Sequence, residues 1–153
     1  MAQRKFEFER LREFKHASGD NHIEYYLAPT KKFKSIVLRA VFTIPAGRKT
    51  AAMAALLPHV LRRATLKSPN LAELSRRCED LYGTTIKAES RKLGRRQLIS
   101  ITLKAPSPRY LPGGMREFGR VLDLLYEVLC EPFVVDKAFH PGIFESEREQ
   151  LLH

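Results

Sequence analysis

The chain has 153 residues, long enough for one domain with its own core, and a hydrophobic content of 44% excludes wholesale disorder. Its 27 Lys and Arg against 17 Asp and Glu give a net charge of +10, which can draw nucleic acid or anionic lipid, yet the basic clusters at 31–34, 62–63, 76–77 and 91–96 are spread along the chain. No apolar run approaches the ~20 residues of a membrane helix, and the N-terminal MAQRKFEFERLREFKHASGDN lacks the apolar core of a signal peptide.

In chain order, HIEYYLAPTKKFKSIVLRAVFTIPA reads as two strands, 22–27 and 34–44, around a turn at Pro29 and Thr30. Ile36, Leu38, Ala40 and Phe42 alternate with Val37, Arg39, Val41 and Thr43, and apolar residues on both faces predict a central strand. Pro45 and Gly47 end it. Met53, Leu56, Leu57, Val60 and Leu61 then mark one face of a helix over 50–63, although Pro58 sits in mid-face and costs on the order of 3 kcal/mol in a helix interior. KSPN breaks the chain, and Asn70 with Glu73 forms a capping-box-like pair opening a second helix with Leu71, Leu74, Cys78 and Leu81 as its stripe. Gly83 is placed as the left-handed residue beyond its last turn.

A hairpin over 84–92 and 97–104 follows, turning at Gly94 and setting Ile99, Ile101 and Leu103 on one face, Leu98, Ser100 and Thr102 on the other. The link APSPRYLPGG has two glycines but no phosphate-loop lysine. It leads to a helix over 115–129 in which Met115, Phe118, Leu122, Leu125 and Leu129 recur and Val121, Leu124 and Val128 widen the face, as expected of a deeply sandwiched helix. After EPFVVD a last helix starts near His140; Glu145, Glu147 and Glu149 read as its solvated face. The order predicts an α+β fold, an antiparallel or mixed sheet with helices packed on one face.

The order of KFKSIVLRAVF, HVLRRAT, LYGTTI, EPF with Phe139, and FESEREQ resembles the N-terminal domain of the insulinase/pitrilysin zinc peptidases from about Thr30 onward. Residues 1–20 are then an N-terminal extension and 21–153 an incomplete domain of that type. Active members carry H-x-x-E-H, in which two histidines bind zinc and the glutamate is the general base. The matching positions here read Ala55-Leu56-Leu57-Pro58-His59. Ala55 has no donor atom, Pro58 cannot take a proton, and only His59 survives. Glu147 and Arg148 match an E-R pattern that puts the family's third ligand at or just beyond His153.

The resemblance is to the non-catalytic bacterial branch, which has an LLPHVL-like segment in place of the zinc motif and pairs with a motif-bearing relative. For some of its members it implies a link to the 5-aminopentanol modification of translation elongation factor P. The expectation is a protein without metal, cofactor or catalytic residue, with His59 as a packing residue. Its partners are a related peptidase subunit or the missing domains of a longer protein, and a peptide can add at a sheet edge. The alternative is a basic module for RNA or another polyanion. Phe42, Phe118 and Phe139 fall on predicted core faces, which speaks against nucleic acid. His16, His22, His140 and His153 have no acidic or cysteine neighbour at metal spacing, and adjacent Glu79 and Asp80 read as a solvated helix end. Cys78 and Cys130 fit no metal or redox spacing and suit a reduced, cytoplasmic setting.

Overall fold

Branched and aromatic side chains dominate 36–42. In a computed structural model of the chain, which describes residues 9–15, 22–27 and 30–152, that stretch lies within an extended strand. The chain divides into two compact units, Met1–Phe33 and Lys34–His153. The first holds β1 (Glu9–Lys15) and β2 (His22–Leu27), paired antiparallel with a register shift between Arg10 and Glu13. The strand expected over 22–27 is thus present as β2 and pairs with β1. Charged residues in ERLREFK hid β1 from the periodicity. The extension expected over 1–20 lies partly outside the described residues.

In the second unit, β3 (Ser35–Pro45), β4 (Thr85–Leu93) and β5 (Arg96–Pro106) form an antiparallel sheet in the order β3-β5-β4. Leu38 sits opposite Leu103, which faces Ile86, and Ala40 sits opposite Ile101, which faces Ala88. Within this unit β5 is the central strand and β3 a flanking one, where the sequence pattern predicts β3 to be central. The turn explains this: Gly94 takes φ +57°, open to glycine at little cost, and with Arg95 makes a two-residue connection that binds β4 directly beside β5. The apolar residues on the outer face of β3 are not buried; Val37 is 57% exposed.

The inner face is the core. Ile101, Leu103 and Ala105 of β5 are buried in one cluster with Val121, Leu124 and Val128 of α3 (Met115–Cys130), Leu61 of α1 (Arg48–Leu61), and Leu74 and Leu81 in and after α2 (Leu71–Asp80). Each full burial of such a side chain contributes about 1.5–3 kcal/mol. The fold is α+β, with an antiparallel sheet and helices packed on its inner face.

The helix ends follow their sequence signals. Asn70 accepts a hydrogen bond from the Glu73 amide at 2.9 Å, and Gly83 takes φ +72° beyond α2. At the start of α1 the Thr50 hydroxyl accepts from the Gly47 amide at 2.9 Å and donates to the Pro45 carbonyl at 2.9 Å. The faces follow less closely. On α1 Met53 is exposed and Leu56 only half-buried, while Ala54, Pro58, Val60 and Leu61 are buried. Leu71 of α2 is exposed.

On α3 the buried residues are Glu117, Val121, Leu124, Glu127 and Val128, whereas Met115 is 69% exposed and Leu122 and Tyr126 are exposed too. The helix is packed on one side and not sandwiched. Its apolar residues cover about half the circumference, opposite a polar sector of Arg116, Arg120 and Asp123, so more than one apolar face was on offer; Val121, Leu124 and Val128 meet the sheet, and two partners from α2 and the turn before it hold Glu127 inward. The aromatics shift as well: Phe42 is about half exposed, and Phe118 and Phe139 are half-buried. EPFVVD, read as a connection, contributes to a small hairpin, β6 (Val134–Val135) with β7 (Ala138–Phe139), whose turn residues Asp136 and Lys137 both have positive φ. It precedes α4 (Pro141–Leu152).

Candidate functional site

The motif positions lie in the second half of α1. Ala55 is half-buried, Pro58 fully buried and His59 half-buried. The helix continues through Pro58 for one further turn, to Leu61. Pro58 has no N–H to give the Ala54 carbonyl, so one helix bond is forgone; Arg62 still donates to the Pro58 carbonyl at 3.4 Å. Burial of the ring offsets part of that cost.

α4 packs against this end of α1. Its Glu147 is 1% exposed, so the solvated role expected for it is wrong; Glu145 and Glu149 are exposed as expected. The burial is possible because Arg63, just past α1, pairs through Nε with Glu147, while Arg63 Nη2 donates to Gln150 at 3.3 Å. His59 Nδ1 is 3.9 Å from Glu147 Oε2, beyond hydrogen-bond reach.

Zinc does not fit this set. A catalytic site takes about three protein ligands and leaves a position for water. Here one imidazole is present, the nearby carboxylate is committed to a guanidinium, and the base position holds a ring without a proton acceptor. Among the described residues no three His, Cys, Asp or Glu side chains group as a metal site requires. His153, where the third ligand was expected to fall, lies outside the described residues, as does His16.

A second buried carboxylate escaped the sequence reading. Glu127 of α3 is 2% exposed. Arg77 of α2 grips both its oxygens, Nη1 to Oε2 at 2.5 Å and Nη2 to Oε1 at 3.0 Å; Lys67 Nζ donates to Oε1 at 3.0 Å. Arg77 also donates to Ser68 at 3.3 Å. The Arg77 guanidinium, and then Lys67, hold the Glu127 carboxyl below the usual range against the opposing effect of burial. An open pocket of about 280 Å³ adjoins the cluster, bounded by Arg120, Asp80 and Asp123 as well as Lys67, Arg77 and Glu127. Cations and carboxylates balance there, and the deepest pair is satisfied internally. No spacing rule could have found it, since Arg77 and Glu127 are 50 positions apart.

The remaining candidates stay apart. The His140 ring stacks on Phe133 with centroids 5.4 Å apart, and its buried Nδ1 has no hydrogen-bond partner among the described residues. Glu79 and Asp80 are exposed. Cys78 is half-buried, and burial pushes its thiol up, away from reactivity; Cys130 is exposed. Among the described residues no helix is long and apolar enough to cross a membrane.

No protein-family model matches the chain. It is 32% identical over 126 residues to the probable inactive metalloprotease YmfF of Bacillus subtilis, covering 82% of this chain and 30% of that protein. A crystal structure of a conserved protein from Enterococcus faecalis superposes with a TM-score of 0.78 at 25% identity, over 82% of this chain and 29% of the other. The chain thus spans less than a third of the length of either protein.

Proposed function

We propose that this chain is part of a non-catalytic, peptidase-like protein of the insulinase/pitrilysin type, acting in the cytoplasm beside a related active peptidase or further domains of its own protein. The observation that carries the reading is the donor set around α1: His59 is the only imidazole there, Glu147 is already neutralised by Arg63, and by the resemblance Ala55, Pro58 and His59 fall at the ligand, base and ligand positions of a zinc peptidase. Similarity to a probable inactive metalloprotease supports it from a separate direction. A peptide can join such a protein along β3 or β4, the edges of the sheet, through main-chain hydrogen bonds. The resemblance extends the proposal to the setting of elongation factor P modification.

Metal content tests it. After dialysis the purified protein is expected to hold far less than one zinc per chain and to leave peptides intact, and Pro58→Glu is expected to create no hydrolysis. Elemental analysis giving about one zinc per chain, the load of a proper site, would overturn the reading. The exposed Met115, Leu122 and Tyr126 on α3 make a further demand, that a related chain or domain cover them. Light scattering over a concentration series is expected to show weak self-association, relieved by such a partner. A monodisperse monomer indifferent to the partner would remove that support.

A further inference from the structure

The basic residues are scattered in the sequence, but the register of the sheet collects them. Arg39 sits opposite Thr102, which sits opposite Lys87; one row along, Val41, Ser100 and Glu89 align, and beyond them Thr43, Leu98 and Arg91. Lys104 and Arg96 extend the same face of β5. Arg39, Lys87, Arg91, Arg96 and Lys104 are all exposed there, against the carboxylate of Glu89. None of the five forms an ion pair with another described residue. Arg39 Nε donates to Thr102 Oγ1 at 3.0 Å, which fixes the start of its guanidinium. Arg39 and Arg91 flank a pocket of about 130 Å³ lined by Val41, Leu98, Ser100 and the lone carboxylate Glu89.

We propose that this outer sheet face docks an acidic polypeptide, a segment rich in Asp and Glu lying extended across the strands. Charge complementarity selects the sign. Geometry selects the form: same-face residues on a strand repeat at about 6.6 Å and neighbouring strands lie about 4.8 Å apart. On this face Lys104 lies one row and one strand, about 8 Å, from both Arg39 and Lys87, and Arg96 lies as far from Arg91, a separation that the flexible carboxylates on one side of an extended chain can reach. The valine and leucine side chains between the cations suit the aliphatic stems of Glu and interspersed apolar residues. RNA is the other polyanion to consider, and sheets that read single strands stack bases on outward aromatics. No outward position of β3, β4 or β5 carries an aromatic ring.

The inference is independent of the zinc argument. A chain that loaded zinc would leave it standing, and a chain that ignored acidic polymer would leave the zinc argument standing. Binding of a short fluorescent poly-glutamate peptide, and of poly-uridine RNA of equal charge, separates the cases. The face variant is Arg39→Glu with Lys87→Glu and Arg91→Glu; the control, equal in net charge, is Arg48→Glu with Arg76→Glu and Arg109→Glu. Poly-glutamate affinity is expected to fall about tenfold or more in the face variant and no more than about twofold in the control. Circular dichroism and thermal melting check folding. If the triple variant does not fold, the milder Lys87→Gln with Arg91→Gln is read instead, with about a threefold loss expected. Equal losses in face variant and control, absence of poly-glutamate binding by the parent, or tighter RNA binding that the face variant abolishes would each overturn the proposal.

Discussion

Glu127 and Glu147 invite comparison because each is a carboxylate almost wholly removed from water beneath an arginine from an earlier part of the chain. Their surroundings differ. Glu127 is gripped through both oxygens by Arg77, backed by Lys67, and so ties α3 to α2 and the turn before it. Glu147 is met by Arg63 through one nitrogen, has His59 at 3.9 Å, and sits on the last described helix. The difference teaches that a buried charge can serve as a clamp where its oxygens are fully engaged, and as a looser contact where they are not.

The strongest challenge to that contrast is truncation. Glu127→Ala strands Arg77 and is expected to cost about 3–4 kcal/mol, whereas Glu147→Ala is expected to cost about half as much, because the end of α4 can open and let Arg63 hydrate. Urea unfolding measures both, and equal losses would break the comparison. Acid sharpens it. The folded carboxyl of Glu127 is held below its ordinary value of 4.5, so its contribution is complete above that pH and is lost as pH falls through the folded value. The stability gap between the parent and Glu127→Gln should therefore narrow below about pH 4.5, and a gap that stays constant to pH 3 would contradict the clamp.

Double-mutant cycles come next in size. Coupling of about 2 kcal/mol is expected between Arg77 and Glu127, and about 1 kcal/mol between Arg63 and Glu147. The smallest effect lies at the start of α2: Asn70→Ala is expected to lower stability by about 1 kcal/mol while leaving the Arg77–Glu127 coupling intact. Loss of that coupling would mean that the cap, and not the ion pair, positions Arg77.

What the sequence disclosed is what lies within a few residues. Asn70 with Glu73, Gly83, and Gly94 with the alternation of β5 are local signals, and the elements they mark formed where expected. Facts that depend on distant partners stayed hidden. The burial of Glu127 depends on Arg77, and that of Glu147 on Arg63, 84 positions away. A glutamate among polar neighbours reads as solvated until its arginine is known. The face of α3 was ambiguous because its apolar arc, from Leu124 round to Met115 and Tyr126, is wider than one packing face. Alternation in β3 announced a strand but could not say whether one neighbour or two would flank it. The same limit hid the outer basic face, since only the pairing of three strands makes Arg39, Lys87 and Arg91 neighbours.

The turn before α3 bears on how this sequence can change over generations. Gly113 does no chemistry, yet a methyl group there would fall 2.6 Å from both Cγ and Oε1 of Glu117. That side chain is itself buried and held by Arg120 at 2.8 Å, so it has little room to withdraw. Substitutions at the two positions therefore have a permitted order. A lineage can shorten the residue at 117 first and then accept alanine at 113, but the reverse path passes through a crowded intermediate that selection would discard. Position 113 is thus constrained by the side chain at 117 and not by any chemistry of its own.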